Sequence, residues 1–349
     1  MPTTGFVQHF LKSSPELKVK KSQPINFERA KVTREDLINW HNDIRHNMTK
    51  EGRMAQLENP SLVYNWDETG FIPNRKDFIG IFRKSAKRNH SIANGAPHGH
   101  ITVLFSVSAD GCYQTPMILY KGKQRLEATM EEARSLGFGA RKSDSGYMTT
   151  KDLSYYMEHI FVPSQQQKGL HGPFTVFLDN AASHLAAEII WKARELNITF
   201  LSYFPNSTDV SQVLDLTVFK RLKDVAGNVI LNDFPDVTIS NRNFANVLKK
   251  VLDKEFPTNL PNRLVIKGFK DTGCFPFESN NMQFDMLFAQ EPSRLVVSKS
   301  EANISQVDSV NYTPASNSDN EIHSEELENL TIENFPHQNN ESMVNISLF

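Results

Sequence analysis

The hydrophobic positions of this 349-residue chain fall into two regimes. Within residues 34–56, Leu37, Trp40, Ile44 and Met48 recur at intervals of three or four, with charged residues between them. That spacing places them on one face of an amphipathic helix. From Pro60 onward short apolar runs of strand length take over, at 62–64, 78–82, 101–107, 117–120, 174–178 and 198–203. Ala109-Asp110-Gly111, between two of these runs, is a tight-turn signal. Residues 147–161 read as a helix capped by Thr149 or Thr150. Two clearer helical stripes follow the later strands. One carries Leu185, Ile189, Ile190, Ala193 and Leu196; the other carries Val218, Phe219, Leu222, Val225, Ala226, Val229 and Ile230. Strands grouped first and helices interleaved later predict an α/β fold with a mixed sheet flanked by helices. Residues 243–256 and 261–275 add a smaller helical or mixed piece that closes the domain.

The two ends read differently. Residues 6–30 form an apolar-basic stretch, too short for a domain, with Phe6, Phe10 and Leu11 followed by Lys18, Lys20 and Lys21. Residues 290–349 are rich in Ser, Asn and Glu and show no sustained period, which predicts a disordered, solvated tail. The expected organisation is therefore 1–30 as the end of another unit, 31–59 as a helical linker, 60–289 as the folded domain, and 290–349 as the tail.

Composition narrows the classes. An apolar share of 39% and a mean hydropathy of −0.44 allow a sizeable core beneath a very polar surface. The two cysteines, Cys112 and Cys274, exclude a disulfide framework and a four-cysteine zinc module. No apolar run reaches membrane-spanning length, and residues 1–14 lack a secretory pattern, so a reducing intracellular compartment without a membrane partner is expected. The net charge of −2 conceals a division. Beyond Lys299 there are nine Asp or Glu and no Lys or Arg; removing those nine from the 40 acidic residues leaves 31, against 38 basic residues. The body is mildly basic, which is compatible with nucleic acid without demanding it.

Three acidic residues stand where α/β folds gather their chemistry, at strand ends and helix starts. Asp67 ends the first strand, Asp179 ends the run 174–178, and Asp215 opens a helix. Each has a plainer reading, since Asp is common at strand ends and helix caps. Together they are hard oxygen donors suited to Mg²⁺ or Mn²⁺, and two such ions serve in-line phosphoryl displacement. Asp215 lies four residues before Phe219 and seven before Leu222, so the helical period places it on their inward-leaning face.

The surroundings are more specific than the acids. Trp66-Asp67-Glu68-Thr69-Gly70 resembles the first-aspartate motif of DDE-superfamily transposases of the pogo, Tigger and jerky type. Phe177-Leu178-Asp179-Asn180 with Ser183-His184 is similar to the second motif. Pro205-Asn206, Thr208, Gln212, Leu214-Asp215, Val218-Phe219 and Leu222-Lys223 resemble the third. Further similar pieces, in order, extend the resemblance from about Phe6 to Phe277. It implies a ribonuclease-H-like fold, two Mg²⁺ or Mn²⁺ ions, DNA as substrate, a homodimer, and a nuclear location. It also implies strand nicking by activated water, then attack of the freed 3′ hydroxyl on target DNA. Asp67 and Asp179 would be the core metal ligands and Asp215 would complete the second ion's shell. The chain departs from the family pattern with Asp209 where His is usual, Val213 where Pro is usual, and Asn180-Ala181 where Gly-His often stands. Residues 6–30 are similar to the last helix and exit of a centromere-protein-B-type helix-turn-helix whose DNA-reading helices are missing, so base-specific contacts are expected to be few.

Other candidates carry less. Lys84, Lys87, Arg88, Lys121, Lys123, Lys220 and Lys223 belong to basic clusters that are ordinary solvated faces on their own and phosphate contacts beside an acidic metal site. His98 and His100 form a pair without a third ligand at a supporting spacing. His184 reads equally as a DNA contact, a cap or a packed residue. Three function classes remain: a metal-dependent nuclease or transposase, a non-catalytic domesticated DNA- or protein-binding protein, and an unrelated carboxylate hydrolase such as a glycosidase.

Overall fold

A computed structural model describes residues 4–15, 26–71, 101–122, 126–181, 186–234, 237–257 and 260–287. Six strands form one sheet: β1 (Val63–Phe71), β2 (Ile101–Ser108), β3 (Met117–Lys121), β4 (Gly139–Ser143), β5 (Phe174–Leu178) and β6 (Ile198–Ser202). Their order across the sheet is β4-β3-β2-β1-β5-β6. β2 runs antiparallel to both β1 and β3, whereas β3–β4, β1–β5 and β5–β6 are parallel. Every strand except β2 therefore delivers its C-terminus to the same end of the sheet.

The helices are α1 (Thr4–Ser13), α2 (Phe27–Ala30), α3 (Arg34–Lys50), α4 (Glu127–Ser135), α5 (Thr150–Tyr155), α6 (Val162–Gln167), α7 (Ala187–Glu195), α8 (Thr208–Ser211), α9 (Phe219–Asp233), α10 (Phe244–Glu255) and α11 (Arg263–Asp271). Wide π-type turns, Tyr156–Phe161 and Leu214–Val218, join α5 to α6 and lead into α9. The caps follow the sequence chemistry. Thr149 caps α5 and Thr33 caps α3, each in a reciprocal capping box with the Asp three residues on.

Period-two alternation along the central strands decides what each face of the sheet carries. Tyr64 and Trp66 of β1, with Phe174, Val176 and Leu178 of β5, pack beneath α5 to α7 against Leu153, Tyr156, Phe161 and Ile189. Trp66 meets Tyr156 and Phe161 edge-on at centroid distances of 5.2 and 4.8 Å. The intervening residues, Asn65, Asp67 and Phe71, look to the other face. There Phe71 packs on Phe244 of α10, and Phe105 on Phe219 of α9. α3 joins this body through Trp40, whose Nε1–H donates to the Ser202 carbonyl at 2.9 Å, and through Arg45, which donates to the Phe277 carbonyl.

Several expectations from the pattern need correction or extension. β1 does not stop near Asp67 but continues to Phe71, because its antiparallel pairing with β2 runs on to Phe71↔Ile101. Asp67 is thus a mid-strand residue. β4, an edge strand reading Gly-Ala-Arg-Lys-Ser, carries no apolar alternation that would announce it. α4 likewise went unmarked by the apolar stripes used above. The apolar run at 78–82 and the tail 290–349 lie outside the described residues, as do residues 16–25 between α1 and α2.

Close packing holds the Leu214–Val218 turn against α11. A Cβ added at Gly268 would stand 2.6 Å from Thr217 Oγ1 and 2.9 Å from Val213 Cγ1, whereas one at Gly227 in α9 would meet nothing within 4 Å. Gly227→Ala should therefore stabilise the protein by about 0.5–1 kcal/mol through helix propensity. Gly268→Ala should destabilise it by about 1–3 kcal/mol through overpacking. Urea melts of the two variants check the contrast, and a stabilising Gly268→Ala would show that this contact is loose.

Candidate active site

The three sequence-predicted acids come from three elements of one face. Asp67 sits in the middle of β1, only 7% exposed. Asp179 follows the last residue of β5, and its Oδ1 accepts the Ala181 N–H at 3.0 Å, a local turn that closes the strand. Asp215 lies in the Leu214–Val218 turn, on the solvent side of its start. Its expected position on the inward face beside Phe219 and Leu222 is corrected by the π-type turn. The wider turn breaks the 3.6-residue phase, so Leu214 and Val218 are buried while Asp215 is exposed.

Electrostatics ties the three together. Burial raises the Asp67 carboxyl well above the ordinary carboxylate range, and the negative charges of Asp215, Glu68 and Asp179 raise it further. The Glu68 backbone N–H donates to Asp67 Oδ1 at 2.8 Å and offsets only part of that cost. Desolvation also raises Asp215. Lys223 opposes that shift, Asp209 adds to it, Arg29 opposes it, and Asp179 adds to it. Asp215 thus touches solvent, yet neighbouring charges and protein crowd its carboxyl.

This donor set suits a divalent cation: hard oxygens, one of them buried and destabilised as an anion by two others. Among the described residues no three His, Cys, Asp or Glu side chains are placed to hold one ion as they stand. A dication would have to draw the carboxylates inward. Asp209, close enough to act on Asp215, accepts from Arg29 of α2 through its two carboxylate oxygens at 3.1 and 3.2 Å.

The remaining candidates divide. Lys223 and Lys220 are exposed on α9, and Lys223 lies close enough to act on Asp215. Lys121 is exposed at the C-terminus of β3, the sheet end that also carries Asp179. Lys84, Lys87, Arg88, Lys123, His98, His100 and His184 lie outside the described residues.

Sequence reasoning missed two residues here. Asn65, completely buried, donates through Nδ2 to the Phe177 carbonyl at 3.0 Å and to Tyr203 Oη at 3.1 Å, and accepts the Leu214 N–H through Oδ1 at 3.0 Å. An amide in an otherwise buried strand, two residues before Asp67 and so on its face, was the available signal. Arg29 had no signal at all, since 180 residues separate it from Asp209.

Comparison with known proteins gives this arrangement a context. Residues 99–251 match the family described as DDE superfamily endonuclease. That part of the chain is thus similar to a DDE superfamily endonuclease domain. The matched span of that DDE domain contains Asp179 and Asp215, while Asp67 precedes it. The fold is similar to that of the Mos1 transposase paired-end complex with left transposon end, at a TM-score of 0.50 and 13% identity over 79% of this chain and 69% of that one. It is also similar to the Mos1 mariner paired-end complex with Mn, again at 0.50 and 13%, over 81% and 69%. The mixed six-stranded sheet with helices on both faces is accordingly ribonuclease-H-like. The MFS-type transporter clz9 of Cochliobolus lunatus is 25% identical over 162 residues. That match covers 46% of this chain and 18% of the transporter, so the chain spans less than a fifth of that relative. No helix among the described residues is long and apolar enough to cross a membrane.

The raised Asp67 carboxyl has a direct consequence for stability without metal. Its folded-state proton affinity exceeds its unfolded one. The stability it contributes is full below the ordinary carboxyl range and is lost as pH rises through the raised folded value. Asp67→Asn removes this loss. The metal-free variant should melt above wild type near neutral pH, with a gap that closes as pH falls toward about 4. A gap that widens on acidification, or a variant that melts lower at every pH, would show that Asp67 is a favourably bonded turn residue instead.

Proposed function

We propose that this protein is a metal-dependent DNA endonuclease of the transposase type, cutting a DNA strand and joining the freed 3′ end to target DNA in the nucleus. The observation that carries the reading is the placement of Asp67, Asp179 and Asp215 on β1, at the end of β5 and in the turn before α9, three elements that meet at Asn65. Asp67 and Asp179 would hold two Mg²⁺ or Mn²⁺ ions between them, and Asp215 would complete the second ion's shell. When bound, such ions supply Lewis acidity to the attacking and leaving oxygens of an in-line displacement at phosphorus.

The chain's own residues account for the rest of the site. Burial in a central strand holds the Asp67 carboxylate, Asp179 follows the end of β5, and Asp215 stands on the solvent side of a π-type turn. Lys223 beside Asp215, Lys220 one helical turn before it, and Lys121 at the same sheet end present positive charge to a phosphate backbone. Arg29 can exchange the Asp209 carboxylate for a phosphate, since a guanidinium binds either through paired N–H donors. The Mos1 mariner paired-end complex whose fold this chain resembles contains Mn, which supports the choice of ion for this chain.

Plasmid nicking tests the reading. Wild type should nick supercoiled DNA with Mg²⁺ or Mn²⁺, lose the activity in chelator, and lose about a hundredfold or more in Asp67→Asn and Asp179→Asn. A wild type that binds DNA without nicking under any divalent ion would establish the non-catalytic, domesticated alternative. DNA affinity offers a second check. A plot of log affinity against log salt should flatten by about 0.9 in Lys223→Ala, with little dependence on sequence. An unchanged slope would remove Lys223 from the DNA path.

A further inference from the structure

The pairing of β1 with β5 ends at Asn65↔Phe177, and both acids of these strands lie two residues beyond that final pair. Asp215 lies one residue beyond Leu214, on a third element that belongs to neither strand. A single side chain reaches all three backbones at this fork. Asn65 starts from β1 itself, donates to the carbonyl of Phe177 in β5, and accepts the N–H of Leu214 at the head of the π-type turn. Its second Nδ2 hydrogen goes to Tyr203 Oη, just past β6. Asn65 is fully buried, and no water-exposed route could replace these partners.

We propose that Asn65 is the positioning residue of the three-aspartate site, fastening its three elements at backbone atoms one or two residues from Asp67, Asp179 and Asp215. The proposal rests on reading those aspartates as the metal site. An amide suits the task because it donates and accepts at once: a carbonyl and an N–H from different elements must both be met. Leu would leave both unpaired, and Asp at neutral pH could not donate to Phe177. The fork pins the backbone roots of all three carboxylates one or two residues from the bonds that Asn65 makes.

Mn²⁺ affinity of the full chain, measured by the electron paramagnetic resonance of free ion, tests the proposal without requiring turnover. Asn65→Ser should weaken Mn²⁺ binding by about tenfold or more, the range seen when outer partners of metal ligands are removed. Leu153→Ala, in the core on the opposite face, serves as a control that loses stability while keeping wild-type Mn²⁺ affinity within about twofold. Should Asn65→Ser not fold, Tyr203→Phe removes the hydroxyl that accepts from Asn65 and also meets Cys274, and should still weaken Mn²⁺ binding measurably. Wild-type affinity in a folded Asn65→Ser, or in Tyr203→Phe where Asn65→Ser does not fold, overturns the positioning role and leaves the metal site standing. Equal weakening in Leu153→Ala also overturns it, because the effect would then be general destabilisation. A wild type that binds no Mn²⁺ overturns the metal-site reading and this inference with it.

Discussion

One buried amide organises the functional half of this molecule. Asn65, fully buried in β1, ties that strand to β5, to Tyr203 just past β6 and to the turn before α9 through three hydrogen bonds. Leaving a buried backbone donor or acceptor unmet costs about 1–3 kcal/mol, so the three elements have no inexpensive alternative arrangement. The carboxylates follow from that arrangement. Asp67 is carried along β1, Asp179 leaves the end of β5, and Asp215 leaves the first turn after Leu214.

The stability of the fold is supplied by the other face. Alternation along β1 sends Tyr64 and Trp66 into an aromatic layer with Tyr156, Phe161 and Phe174. Such rings contribute both buried area and edge-to-face attraction. That investment lets the opposite face carry Asn65 and Asp67 in a central strand, where burial and the charges of Asp215, Glu68 and Asp179 make an ionised Asp67 work against folding. The division is the usual one for a site that must attract a cation: the charge is costly until its ligand arrives.

Much of this was legible in the sequence, and the exceptions have physical causes. The run 174–178 gave β5 to the residue, and the stripe from Leu37 to Met48 gave α3, because apolar period alone determines elements with a well-defined buried face. β1 was read too short, since Asp67, Glu68 and Gly70 interrupt its apolar pattern while backbone pairing with β2 continues through them. Asp215 was assigned the wrong side of its helix, because a π-type turn has no signature in apolar spacing. β4 was missed because an edge strand need not be apolar. The three aspartates themselves were found from motif order. Asn65 was not, although its place in a buried strand two residues from Asp67 marked it as a polar group requiring partners.

The central claim is that Asp67, Asp179 and Asp215 form one metal site. Anomalous diffraction from crystals soaked in Mn²⁺ tests it most directly. The account predicts strong Mn peaks bounded by the Asp67 and Asp179 carboxylates, with Asp215 drawn in toward one of them and Asp209 still paired with Arg29. Mn bound by Asp209, or bound elsewhere with the space between Asp67 and Asp179 unoccupied, would contradict it.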